Sequence, residues 1–260
     1  QYHRLGLPFA PVLAQMEYNG ITPDMELLAQ LNQDMSFRIA KLERLAEEQA
    51  GESFNLKSPK QLGVVLFEHL QLPVIKKTKT GYSTDVKVLE ALQGKHPLID
   101  TILEHRKLAK LQSTYLEGLQ PLVNAKTGRI HTHFQQTVTV TGRLSSTDPN
   151  LQNIPTRTEE GKQIRRIFGP GAGYDYLMSC DYSQVELRIL ACIAQDKLLL
   201  ESFRHGQDVH ARTASEVFGV PLDEVSSQMR SRAKAVNFGI VYGISDFGLA
   251  NQLQVSRKEA

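Results

Sequence analysis

Apolar and polar residues alternate with a helical period over most of the first 120 positions. Residues 24–50 predict one long helix, because Asp24 is placed to cap it and apolar side chains recur every three or four positions: Leu27, Leu28, Leu31, Met35, Ile39, Leu42 and Leu45. Further helices are predicted from Ser58, near 84–93 and over about 97–120. The first 120 residues are therefore expected to be mainly helical.

The pattern changes after this helical region. Residues 129–140 are rich in β-branched side chains and predict a strand, and residues 163–168 predict another. Residues 176–180 predict a buried strand that runs into Asp181. Helical periodicity then returns near 184–194, 208–217, 223–243 and 245–253. Helices and short strands in separate stretches predict an α+β fold.

Composition is that of a soluble globular protein, with 41% hydrophobic and 22% charged residues. No stretch approaches the roughly 20 apolar residues that a membrane helix needs, so no membrane partner is expected. The beginning of the chain does not look like a signal peptide. Only two cysteines occur, Cys180 and Cys192, which excludes a disulfide framework and a four-cysteine zinc site. We expect both to be small buried residues in a reducing compartment.

The formal net charge of +2 favours no class of partner, but the charges are unevenly distributed. Residues 126–166 and 228–238 are basic, with net charges of +4 and +3, and residues 181–227 between them carry −4. This order suits a protein that holds a polyanion in two places and a metal ion between them. Solvated faces of mixed charge remain the alternative.

Asp181 is the first candidate for chemistry, because it lies between a predicted strand and a predicted helix. Magnesium prefers hard oxygen ligands, commonly one or two carboxylates with substrate phosphates and water. Asp181 has this character, and the backbone carbonyl of Tyr182 offers a second ligand. The alternative is that Asp181 only caps the following helix.

A second candidate is a stripe on the predicted helix 223–243. Its members are spaced by four residues and fall within about 120° of the helix surface, with cations before rings: Arg230, Lys234, Phe238 and Tyr242. A nucleoside triphosphate has the matching order of phosphates, sugar and base, and Gly239 and Gly243 are expected to leave room for a base pair. The alternative is an amphipathic helix with aromatic residues in the core.

The third candidate is the loop of residues 141–155. Its arginine, hydroxyl and amide side chains can satisfy phosphates and minor-groove acceptors. Because those acceptors are shared by all base pairs, an arginine there would test pairing geometry rather than sequence. A plain surface loop is the alternative.

In this order, the three segments resemble the family A DNA polymerases of the bacterial DNA polymerase I type. Asp181-Tyr-Ser-Gln-Val-Glu-Leu-Arg resembles the palm motif A, and Arg230-x3-Lys234-x3-Phe238-x3-Tyr242-Gly243 resembles the motif B helix of the fingers. Thr141-Gly-Arg-Leu-Ser-Ser-Thr-Asp-Pro-Asn-Leu-Gln-Asn-Ile-Pro155 resembles the primer–template segment. The resemblance implies a helical thumb over 1–120, a partial antiparallel β palm over 121–194 and the beginning of helical fingers over 195–260.

The resemblance also implies roles for individual residues. Asp181 resembles one of two metal-binding aspartates, and Tyr182 supplies its carbonyl to one of the two Mg²⁺ ions expected in the complete enzyme. Lys234 resembles a phosphate ligand that also protonates pyrophosphate. Glu186 resembles the residue that excludes ribonucleotides. The other implied nucleotide contacts are Arg157, Gln184, His210, Arg230, Phe238 and Tyr242, and the implied DNA contacts are Arg143, Gln152 and Asn153.

The implied activity is template-directed transfer of deoxynucleotides to a primer 3′ end, with primer–template DNA and deoxynucleoside triphosphates as partners. A cytoplasmic, nucleoid-associated bacterial protein is implied. The family's His-Asp-Glu motif C is absent from the 260 residues. We therefore expect this chain alone to be inactive, either as a fragment or as half of an enzyme whose C-terminal half is a separate chain.

Two other functions remain open. A non-catalytic primer–template binding module would bind DNA with a steep salt dependence but without tightening by nucleotide. A single-subunit RNA polymerase shares the motif logic, but Glu186 argues against it.

Overall fold

The computed structural model describes residues 2–79, 81–156, 158–253 and 255–258, without the side chains of 240 and 251–253. The chain forms two compact units, Gln1–Met178 and Ser179–Ala260. The first unit contains these helices: α1 (Leu7–Asn19), α2 (Met25–Ala50), α3 (Pro59–Val64), α4 (Val86–Ala91), α5 (Pro97–Leu111) and α6 (Glu159–Arg166). A π-helical segment, Gln112–Glu117, continues α5.

Local capping explains where these helices begin. The Asp24 carboxylate accepts a hydrogen bond from the backbone N–H of Leu27 at 2.9 Å, and Gly51 ends α2 in the left-handed region at φ +75°. Ser58 and Asp85 cap α3 and α4 in the same way. The helices predicted from sequence in this region are therefore confirmed.

Two clusters of buried aliphatic side chains form the core of the first unit. One joins α2 to α5 and to the segment that follows it, around Leu28, Leu108 and Leu116. The other joins the end of α2 to α3, α4 and the start of α5, around Leu66, Leu89, Leu98, Ile99 and Ile102.

Among the described residues of this unit, three two-stranded antiparallel sheets accompany the helices. Strand β1 (Thr22–Pro23) pairs with β6 (Phe168–Gly169), β2 (Lys77–Thr78) with β3 (Gly81–Tyr82), and β4 (His133–Gln135) with β5 (Ser145–Thr147). Small antiparallel sheets beside a mainly helical framework confirm the predicted α+β class.

Two predicted strands are wrong in extent or in type. Of residues 129–140 only His133–Gln135 forms a strand, because its partner β5 is three residues long. Residues 163–168 lie mostly in α6, whose first turn is fixed by a hydrogen bond from Gly161 N–H to the Thr158 hydroxyl at 3.1 Å. Acidic residues at its start and basic residues at its end favour the helix further.

The predicted buried strand 176–180 is also wrong. These residues have no regular structure, and Tyr176, Leu177 and Met178 are exposed. A strand is stable only when a neighbour satisfies its backbone groups, and no described segment pairs with it. Cys180 and Cys192 are likewise exposed rather than buried.

The described residues of the second unit contain five α-helices: α7 (Val185–Ala194), α8 (Lys197–Arg204), α9 (Val209–Phe218), α10 (Ser227–Val241) and α11 (Asp246–Leu253). Asp196 and Asp208 cap α8 and α9. Helices α9 and α10 pack against each other, and each contains a fully buried alanine, Ala214 and Ala233, whose small side chain permits close packing. None of the helices in the described part of the chain is long and apolar enough to cross a membrane.

Candidate functional site

The predicted stripe is present along α10 in the second unit. The Lys234 ammonium lies 6.0 Å from the centre of the Phe238 ring, within the range of a cation–π contact. The Phe238 and Tyr242 rings stack, with centres 6.4 Å apart and planes inclined by 15°. A cation and two rings therefore follow one another on one helix face, in the order that the i, i+4 spacing predicts.

Arg230, at the other end of the stripe, is held by Asp208. Its Nε lies 2.6 Å from Asp208 Oδ2, and Asp208 also accepts the N–H groups of His210 and Ala211 at the start of α9. Burial raises the pKa of Asp208, but the hydrogen bonds from Arg230 and from the helix N-terminus outweigh burial and lower it. Asp208 is thus an ionised link between α9 and α10.

His210 is buried beside this link. Its ring lies 5.7 Å from that of Phe238, and its Nδ1 is 3.1 Å from Asn237 Nδ2. Burial lowers the pKa of His210; Asp208 opposes this, and Arg230 and Lys234 lower it further. The imidazole is therefore expected to be neutral at pH 7.

Glu186 meets the far end of the stripe. Its Oε2 accepts a hydrogen bond of 2.5 Å from the Tyr242 hydroxyl, which joins the first turn of α7 to the end of α10. Two residues that the resemblance assigns to the nucleotide site are thus in direct contact.

The remaining residues of motif A are less constrained. Asp181 and Tyr182 are exposed, and Gln184 precedes α7 in the left-handed region at φ +54°. Among the described residues, none of these three side chains makes a hydrogen bond or ion pair with a residue of the stripe. Their placement at a shared site therefore remains a prediction.

Asp181 and the carbonyl of Tyr182 fit a magnesium ion that takes its other ligands from substrate and water. An exposed carboxylate without an ion-pair partner among the described residues is available for such an ion. Within the described ranges, no group of three or more His, Cys, Asp or Glu side chains forms a metal site. The donors that this chain offers therefore suit magnesium only in company with phosphate oxygens.

The glycines of motif B also have roles in the backbone of the second unit. A Cβ on the buried Gly239 would lie 2.7 Å from Ile244 Cγ2, so this glycine makes room for Ile244. Gly243 has φ +69°, a backbone conformation that favours glycine, and lies just after the end of α10.

A second candidate surface lies in the first unit, on the loop of residues 141–155. Gln152 Oε1 accepts from the backbone N–H of Ser146 at 3.1 Å, and the carbonyl of Asn153 accepts from the Tyr115 hydroxyl. Arg143 and the side chains of Gln152 and Asn153 are exposed. Arg157 lies outside the described residues.

Sequence reasoning missed two lysines beside this loop. Lys107 and Lys110 on α5 line a cavity of about 520 Å³ together with Asn150, Asn153 and Thr158. Lys107 forms ion pairs with Glu104 and Glu160, whereas Lys110 makes no ion pair with a described residue. Their i, i+3 spacing was the available signal, but only the fold brings them to the loop.

The sequence model of the family described as DNA polymerase family A matches residues 25–260. This range is most of the chain and includes both candidate surfaces. The chain belongs to DNA polymerase family A. This confirms the resemblance drawn from the three motifs.

Relatives of known name are similar over essentially the whole chain. It is 53% identical to DNA polymerase I of Caldicellulosiruptor bescii over 259 residues, covering 100% of this chain and 30% of that protein. It is 53% identical to DNA polymerase I of Geobacillus stearothermophilus over 253 residues, covering 97% and 29%. This family A chain therefore spans less than a third of the length of these relatives.

A solved structure shares the fold. It is the POL domain of Pol1 from M. smegmatis in complex with DNA primer-template and dNTP, with a TM-score of 0.89 and 47% identity. The match covers 98% of this chain and 45% of that chain.

Proposed function

We propose that this chain supplies the triphosphate-binding helix and part of the primer–template surface of a template-directed DNA polymerase. The observation that carries the proposal is the face of α10, where Lys234, Phe238 and Tyr242 follow one another in contact. A deoxynucleoside triphosphate along this face puts phosphates at the cations and the base at the rings. The structure known for the M. smegmatis polymerase domain, with primer-template and dNTP, supports this choice of ligands.

Different residues of the second unit contact different parts of the triphosphate. Arg230 and Lys234 neutralise its phosphates, and Lys234 is positioned to give a proton to the leaving pyrophosphate. His210 donates a hydrogen bond to the phosphates. Phe238 packs on the sugar and base, and we assign Gln184 to the same pocket.

Glu186 and Tyr242 form the wall that the sugar meets. Because their side chains are joined by a hydrogen bond, the wall is rigid where a 2′-hydroxyl would have to fit. We expect Glu186→Ala to lower the ratio of the affinity for dATP to the affinity for ATP by about tenfold, because one steric contact with the 2′-hydroxyl is lost. The same preference in a variant such as Glu201→Ala, an acidic residue on α8, serves as the control.

Magnesium would be held by Asp181, the Tyr182 carbonyl and the triphosphate. Of the two ions, one would activate the primer 3′-oxygen, and the other would hold the triphosphate and stabilise the leaving pyrophosphate. Complete transfer is expected to need two ions. Because the 260 residues contain no His-Asp-Glu sequence to bring a second carboxylate, we predict no primer extension by this chain alone.

The primer–template is assigned to the first unit. Arg143, Gln152 and Asn153 present side chains suited to phosphates and minor-groove acceptors, Arg157 is assigned beside the nucleotide, and the cavity beside Asn153 adds Lys110. Whether a C-terminal half joins as a separate chain stays a prediction, as does a cytoplasmic, nucleoid-associated location.

Anisotropy of a labelled duplex with a dideoxy-terminated primer tests this function. With Mg²⁺, the dNTP complementary to the template should tighten binding of the 260-residue chain to the duplex, and a non-complementary dNTP should not. Equal affinity with either nucleotide or none would instead support the non-catalytic DNA-binding module. Tighter binding with the matched ribonucleotide would support the RNA polymerase.

A further inference from the structure

Asn237 on α10 connects two residues of α9. Its Nδ2 lies 3.1 Å from His210 Nδ1 and 3.0 Å from Thr213 Oγ1. Asn237 does not belong to the stripe on α10. Its side chain links α10 to α9.

The Thr213 hydroxyl determines which way the Asn237 amide faces. It donates its single proton to the backbone carbonyl of Val209 at 2.9 Å, one helical turn earlier. Thr213 Oγ1 is then left only as an acceptor toward Asn237. The group facing it must therefore be the NH₂ of the amide, because a carbonyl oxygen there would meet a second acceptor.

This orientation determines the state of His210. The same NH₂ group faces His210 Nδ1, so Nδ1 accepts and the single proton of the neutral ring resides on Nε2. If His210 Nδ1 were protonated, its N–H would face the N–H of the Asn237 amide. The charged groups around the ring are Asp208 before α9, and Arg230 and Lys234 on α10. Burial and the two cations lower the pKa of His210, and Asp208 raises it. The NH₂ group of Asn237 also favours the neutral ring.

We propose that Asn237 is a positioning residue that holds His210 as a neutral imidazole with its proton on Nε2. Among the described residues Nε2 has no hydrogen-bond partner, which leaves it to donate to a ligand. Taking that ligand to be the triphosphate rests on the proposed function; the tautomer and its cause do not.

The test uses the 260-residue chain labelled with ¹⁵N at its eight histidines, with His210→Gln to assign the His210 signals. Two-bond ¹H–¹⁵N correlations should show the proton of His210 on Nε2 at pH 7, and titration should give a pKa below 6.5. A wild-type ring with its proton on Nδ1 would overturn the proposal.

Asn237→Asp is the informative variant, because it keeps the shape but replaces the donor by an acceptor. The proton should move to Nδ1 and the pKa of His210 should rise by about one unit or more. An unchanged tautomer and pKa in a helical Asn237→Asp chain would contradict the proposal. Thr213→Val, which keeps the β-branch, should make the Nδ1–H tautomer detectable by freeing the amide to turn; a ring that stays wholly Nε2–H would count against the proposal.

A titration with dATP and Mg²⁺ separates this inference from the proposed function. A shift of the Nε2–H signal on addition supports both. No shift, with the Nε2–H tautomer of the wild type and the change in Asn237→Asp intact, supports the positioning role and contradicts triphosphate binding at His210.

Discussion

The two units of this protein use hydrophobic residues differently. In the first unit the fully buried side chains are mainly leucine and isoleucine, such as Leu66, Leu98 and Ile99. In the second, four of the six buried hydrophobic residues that the structure describes are alanines: Ala191, Ala214, Ala233 and Ala250. Large aliphatic side chains remove much apolar surface from water, whereas alanines contribute little burial and let helices approach.

From this difference we attribute stability mainly to the first unit, and the proposed chemistry to the second. Close approach of α9 and α10 is what brings His210 into contact with Asn237 and Phe238. Meanwhile Asp181, Lys234 and Tyr242 stay exposed.

The largest expected effect comes from truncating a core residue of the first unit. Ile99 on α5 is fully buried, so Ile99→Ala should lower the free energy of unfolding by about 2–5 kcal/mol. Ile193 on α7 is 78% exposed, and Ile193→Ala should change it by no more than about 0.5 kcal/mol. Urea titration followed by circular dichroism measures both, and similar losses would contradict the contrast between the units.

A smaller effect is expected at the helix caps of the second unit. Asp208→Ala should cost about 1–2 kcal/mol of stability because α9 loses its N-cap and Arg230 loses its partner. Asp196 caps α8 through the N–H of Leu199 and makes no ion pair with a described residue, so Asp196→Ala should cost only about 1 kcal/mol. The difference between the two costs is expected to be small, because the ion pair of Asp208 with Arg230 is partly exposed. Equal costs would show that the ion pair adds nothing.

The smallest effect is expected at acid pH, at the cap of α4 in the first unit. Hydrogen bonds from the Val88 N–H, from Ser83 and from Lys76 lower the pKa of Asp85 to about 2. Since the folded pKa lies below the unfolded value near 4, the carboxylate stabilises α4 above about pH 4, and this contribution is lost as pH falls toward 2. An NMR titration should find the Asp85 midpoint near 2 and, in Ser83→Ala, a higher one. A midpoint near 4 in both would refute this.

Features carried by nearby residues could be predicted from sequence. Asp24 and the periodicity of 24–50 are local signals, and the spacing of Lys234, Phe238 and Tyr242 alone places them on one face. The motifs likewise sufficed for the family.

Features that depend on distant partners could not be predicted. His210 and Asn237 are 27 positions apart on different helices, and nothing in either segment signals their hydrogen bond. Residues 176–180 have the composition of a strand, but strand formation depends on a neighbour that composition does not specify. The close approach of Ile244 to Gly239 was not predicted either, because it depends on how the chain turns after α10.

Calorimetric titration with dATP and Mg²⁺ tests the central claim, that a triphosphate lies along α10. Lys234→Ala should weaken binding at least about tenfold, since a hydrogen bond to a charged group is worth about 1.5–3 kcal/mol. Lys197→Ala removes the same charge from the exposed start of α8 and should leave the affinity nearly unchanged. Equal losses in the two variants, or no loss in Lys234→Ala, would contradict the account.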